Sequence, residues 1–150
     1  MATVSTPPKP TGILHITIPV GDLTEGCAFY EKIGMKLTAR RDDYQMAFLR
    51  VGESDQYVIL HNPGKSPEPY YATRNDPPMH HAFTMSDKTA YDAMKAHLTA
   101  SGIQVFGEHY RDKGALTGWQ FYLRDPWGND LEFIHFEGAG GGFGPGNVAR

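Results

Sequence analysis

The chain has 150 residues, of which 40% are hydrophobic and 21% charged, and a net charge of −3. That length supports one domain with its own core, while so small and mixed a charge excludes a nucleic-acid footprint or a polybasic membrane patch. The single cysteine, Cys27, excludes an intrachain disulfide, and no apolar run reaches the roughly 20 residues of a membrane span; a cytoplasmic protein with a small-molecule partner is expected.

Residues 1–12, with Pro7, Pro8 and Pro10, read as a flexible tail, as does the glycine-rich stretch 138–150. The fold is expected over residues 13–137. Five prolines between Asn62 and Pro78 divide it into a first module of about 13–62 and a second of about 79–137.

The first module opens on a strand, where alternation sets Leu14, Ile16 and Ile18 on one face and His15 and Thr17 on the other. Asp22 then caps a helix, Glu25 completes a capping box, and Cys27, Tyr30 and Ile33 form a stripe that stops at Gly34. Extended segments around Met46–Arg50 and Tyr57–His61 follow. The second module repeats the plan. His80 precedes Asp87 by seven residues, as His15 precedes Asp22. Asp87 or Ser86 caps a helix carrying Tyr91, Met94 and Leu98, which stops near Gly102. Gln120-Phe-Tyr-Leu-Arg124 matches Met46-Ala-Phe-Leu-Arg50, and Asp125-Pro-Trp-Gly128 is a turn leading into a last strand. The expected fold class is α+β, two units each of a strand, a helix and then several strands.

His15 and His80 hold equivalent places in the two repeats, and Glu132 is a carboxylate in an otherwise apolar strand, where an unpaired charge is costly. Two imidazoles and one carboxylate around a common cleft suit one divalent first-row metal and leave positions open for substrate. On the same strand faces, Thr17, Phe48, Ile59, Thr84, Gln120 and Ile134 are the candidate substrate-lining residues.

The segments His15–Asp22, His80-His-Ala-Phe and Asp125-Pro-Trp-Gly-Asn-Asp-Leu-Glu132 resemble the motifs of the vicinal oxygen chelate family, which includes glyoxalase I, extradiol dioxygenases, fosfomycin-resistance transferases and bleomycin-sequestering proteins. The resemblance covers roughly residues 13–137. It implies paired βαβββ modules forming a cup-shaped mixed sheet, with His15, His80 and Glu132 as metal ligands and Tyr122, ten residues before Glu132, as the family's active-site tyrosine. It also implies a homodimer. Three departures narrow the activity. Where glyoxalase I adds a glutamate from its first module, the ungapped register has His61, and a one-residue slip gives Leu60. Its glutathione-associated arginine is replaced by Pro19, and the arginine of fosfomycin transferases by Gly141. The resemblance then implies an extradiol-type dioxygenase using Fe(II) on a phenolic or other oxygen-chelating small molecule, with Tyr122 and His61 as catalytic groups. A glyoxalase-like lyase or isomerase using Mn(II), Ni(II) or Zn(II), and a metal-free drug- or metabolite-binding protein, are the alternatives. His81, His97, His109 and His135 carry no expected chemistry.

Overall fold

A computed structural model describes residues 10–64, 79–112 and 116–138. The expected tails fall almost wholly outside these residues, as does most of the proline-rich stretch. The elements run β1 (His15–Pro19), α1 (Leu23–Lys32), β2 (Met35–Arg41), β3 (Met46–Val51), β4 (Tyr57–His61), β5 (His81–Thr84), α2 (Lys88–Ala100), β6 (Phe106–Arg111), β7 (Thr117–Arg124) and β8 (Asp130–Gly138), with a short 3-10 turn at Asp42–Tyr44. The chain divides into two compact units, one built on the segments up to Ile18 and Leu23–His61, the other on Pro19–Asp22 and the chain from Asn62 onward.

The strand–helix–three-strand order occurs twice, and each time the strands close a four-stranded sheet in the same spatial order, β1-β4-β3-β2 and β5-β8-β7-β6. The fold class is α+β, as the repeat implies.

In the first unit α1 packs on β2, β3 and β4. Its buried residues Leu23, Cys27 and Tyr30 meet a sheet face on which Ile18, Ala47, Leu49, Val58 and Leu60 are all fully enclosed. The helix ends where expected, because Gly34 takes φ +99°, a left-handed conformation that other residues enter at a cost. In the second unit the Asp87 carboxylate accepts the Ala90 N–H at 2.7 Å and caps α2. Tyr91 and Leu98 are fully buried, with the Tyr91 ring 5.1 Å from that of Phe121. Burying such a side chain contributes about 2–3 kcal/mol.

A register shift in β6 positions part of the site. Phe106 pairs with Tyr122 but His109 with Gln120, so two residues on β6 face one on β7. Gly107, at φ +62°, absorbs the bulge. Glu108 turns to the helix side, where its carboxylate accepts from Lys95 Nζ at 2.8 Å and from the Tyr91 hydroxyl at 3.2 Å. His109 stays on the face of Phe106.

Candidate functional site

On the second sheet, one face carries Phe83, Phe121 and Phe133 under α2, and the opposite face carries rows fixed by the pairing. Ala82, Glu132, Tyr122 and Phe106 form one row; Thr84, Ile134, Gln120 and His109 form the next. His80, just before β5, brings its Nε2 to 3.0 Å from Glu132 Oε2. The edge of its ring meets Tyr122 at a centroid distance of 5.4 Å, and Phe106 stacks on the other side of that tyrosine at 5.8 Å. Glu132 is 6% exposed. Burial pushes its carboxyl above the ordinary carboxylate range, opposed by the charges of His80, Arg111 and His109 and by the hydrogen bond to His80.

Glu132 is aimed by the hairpin that precedes it. Asp125 Oδ1 accepts the N–H groups of Trp127 at 2.9 Å and Asn129 at 2.8 Å, while Oδ2 accepts from the Asn129 side chain at 2.6 Å. The Asp-Pro-Trp-Gly sequence is thus a carboxylate-wrapped turn, with Gly128 at φ +86°. Arg124 and Asp130 face each other at its base in a 2.6 Å ion pair, Asp130 being almost wholly enclosed. The Arg124 guanidinium also lies 4.6 Å from the Phe106 ring centroid.

On the first sheet, the Tyr57 N–H donates to the Leu14 carbonyl at 2.9 Å and sets Tyr57 alongside the start of β1. Ile18, Val58 and Leu60 are enclosed on the helix side, so alternation puts His15, Thr17, Tyr57, Ile59 and His61 on the opposite face. The same alternation separates the faces of His61 and Leu60. Leu60 pairs with Ala47 beneath α1, and His61 pairs with Met46 on the other side, half-buried. The modules also correspond residue by residue here, since Phe48 pairs with Ile59 as Tyr122 pairs with Glu132. The first module therefore has Ile59 where the second has its carboxylate, which corrects the expectation that His61, or Leu60 after a one-residue slip, takes that place: the β3–β4 pairing sets His61 two positions further along.

Of the expected site residues, the structure brings His80, Glu132, Tyr122, Gln120 and Ile134 onto one face of the second sheet, with Thr84 exposed on the same side. His15, Thr17, Phe48, Ile59 and His61 share one face of the first. Among the described residues no group of three or more His, Cys, Asp or Glu side chains gathers as a metal shell; His80 and Glu132 form a pair.

Reasoning from sequence missed His109. Its Nδ1 lies 2.8 Å from the Gly107 carbonyl, its Nε2 lies 2.5 Å from Gln120 Nε2, and its ring stacks at 6.4 Å on Tyr122. The signal available was Gly107, a glycine inside an extended segment, which marks a bulge and a change of face.

The pair fits a shared cation. Two donors bound about 2.1 Å from one first-row ion and roughly at right angles lie about 3 Å apart, which matches the 3.0 Å between His80 Nε2 and Glu132 Oε2. The donor set, an exposed imidazole and a buried carboxylate, is one that first-row divalent ions accept.

Residues 12–133 match the Glyoxalase/Bleomycin resistance protein/Dioxygenase superfamily. An uncharacterised protein of Pseudomonas aeruginosa is 30% identical over 141 residues, covering 91% of this chain and 94% of that one. Among solved structures, a lactoylglutathione lyase from Agrobacterium tumefaciens is 27% identical with a TM-score of 0.62, over 84% of this chain and 94% of the other. A fosfomycin resistance protein from Listeria monocytogenes, complexed with Mn(II) and sulfate, shares the fold at 20% identity and a TM-score of 0.65, over 85% and 91%. The chain belongs to the glyoxalase/bleomycin resistance protein/dioxygenase superfamily.

Proposed function

We propose that the protein is a metal-dependent enzyme in which His80, Glu132 and His15 hold one divalent cation, and that it acts as an extradiol-type dioxygenase on a small molecule chelating through two oxygens. The observation that carries the reading is the 3.0 Å His80–Glu132 pair beside Tyr122 on the face opposite the helix. His15 is supplied by the first module of this chain or of a second copy, and the active form is a homodimer.

A bound cation, Fe(II) in this reading, supplies Lewis acidity and redox capacity. The protein's own groups do the rest. Tyr122 is fixed by aromatic contacts on its flanks and offers its hydroxyl to a substrate oxygen. Buried Ile134, two residues along β8, and Tyr122 opposite Glu132 keep water from that carboxylate, and Thr84 lines the exposed approach on the same face. Thr17, Phe48 and Ile59 line the corresponding face of the first module, with His61 as its acid–base group. Ile59 in the place corresponding to Glu132 favours a three-ligand site over the four-ligand site of glyoxalase I.

A lyase or isomerase using Mn(II), Ni(II) or Zn(II) is the second reading, favoured by the likeness to the Agrobacterium lactoylglutathione lyase. Enzyme loaded anaerobically with Fe(II) and then given a panel of catechols separates the two. Oxygen uptake matched by a ring-opened product, and abolished in Tyr122→Phe by about 100-fold or more, is the expected result. Turnover of a hemithioacetal without oxygen uptake would replace it by the second reading. Tight small-molecule retention after metal stripping, unchanged in His80→Ala, would contradict both.

A further inference from the structure

The hydrogen-bond chain on the second sheet does more than fill space around Tyr122. Imidazole Nδ1 of His109 sits 2.8 Å from the Gly107 carbonyl, which only accepts, so Nδ1 carries a proton. In the neutral ring Nε2 is then a lone-pair acceptor. The group facing it is Gln120 Nε2 at 2.5 Å, and the same amide nitrogen donates to the Tyr122 hydroxyl oxygen at 3.4 Å. An amide nitrogen has two protons, and this geometry uses one on each neighbour. The opposite amide orientation would set Gln120 Oε1 against a nitrogen that has no proton. The bulge is what makes this possible: without the extra residue at Gly107–Glu108, β6 would present Glu108 beside Gln120 in place of His109.

We propose that His109 and Gln120 are positioning residues for Tyr122: His109, held as its Nδ1–H tautomer by the bulge carbonyl, fixes the Gln120 amide so that it donates to the tyrosine oxygen. The tyrosine oxygen is thereby an acceptor on the Gln120 side, and its proton is given on the other. This rests on the proposed function only for what Tyr122 serves. The hydrogen bonding itself is a property of the folded chain. Gln120 is 2% exposed, and Tyr122 4%, so water does not compete for these donors.

The test uses the full-length, metal-free protein labelled with nitrogen-15. Ring-nitrogen NMR at a pH where His109 is neutral is expected to show Nδ1 protonated and Nε2 bare. The two side-chain amide protons of Gln120 are expected to respond separately, one moving in His109→Phe and the other in Tyr122→Phe. A neutral His109 with its proton on Nε2 overturns the proposal, as do Gln120 protons indifferent to Tyr122→Phe. A second arm uses whichever turnover the enzyme has, with catechol and the hemithioacetal of methylglyoxal as probes. Gln120→Leu is expected to lower kcat about 10-fold with little change in KM, and Gln120→Leu combined with Tyr122→Phe to be no slower than Tyr122→Phe alone. Full additivity of the two losses would contradict action through Tyr122. Should neither probe turn over, the NMR arm still decides the proposal while the proposed activity fails separately.

Discussion

Glu132 is a carboxylate enclosed among aromatic and aliphatic neighbours, and its burial is the cause of both its usefulness and its cost. A carboxyl whose folded-state pKa is raised is penalised when ionised. In metal-free protein its contribution favours folding below the ordinary value of 4.5 and is lost as pH rises through the folded-state value. Glu132→Gln is therefore expected to raise the Tm of metal-free protein at neutral pH, with the gain disappearing below about pH 4.5. The same substitution should remove any stabilisation by added divalent metal. Thermal melts with and without metal across that pH range check both signs. A second buried charge behaves differently. Asp130 is pushed up by burial but held by Arg124 at 2.6 Å, so Arg124→Ala strands it, at a cost of about 3 kcal/mol in denaturant unfolding.

Among the elements, the β7–β8 hairpin matters most, because it carries Tyr122, Gln120 and Glu132 together. Near its open end, Gly118 has φ +135°, and a Cβ there would lie 1.9 Å from the His135 carbonyl oxygen. Backbone cannot retreat as a flexible side chain does, so Gly118→Ala is expected to cost at least about 3 kcal/mol and to disturb Glu132. A large fall in the unfolding midpoint checks the cost; a melt matching the parent protein contradicts it. Most of this architecture was legible in the sequence. The Asp87 cap, the glycine stops, the Asp125 turn and the alternation that set Glu132 opposite Phe133 are all local signals. What escaped was set by pairing between strands. The face of His61 depended on the β3–β4 register, which placed Leu60 under α1, and the face of His109 depended on a bulge that only the β6–β7 pairing reveals.

At the scale of the whole molecule, two copies of one plan have diverged in chemistry while keeping strand order. Each second strand has a register shift, but in β2 it falls between the partners Leu49 and Phe48 and in β6 between Tyr122 and Gln120, on opposite sides of the corresponding Phe48 and Tyr122 rows. The second module holds an imidazole, a carboxylate and a tyrosine in contact; the first presents His15 exposed on a sheet face whose counterpart to Glu132 is Ile59. The central claim is tested most directly by equilibrium titration of chelator-stripped protein with Fe(II) and Mn(II), read by elemental analysis. One ion per chain is predicted, with affinity falling about 100-fold or more in His80→Ala and again in His15→Ala. Wild-type protein that takes up no ion, or binds one with equal affinity after His80→Ala, would contradict it.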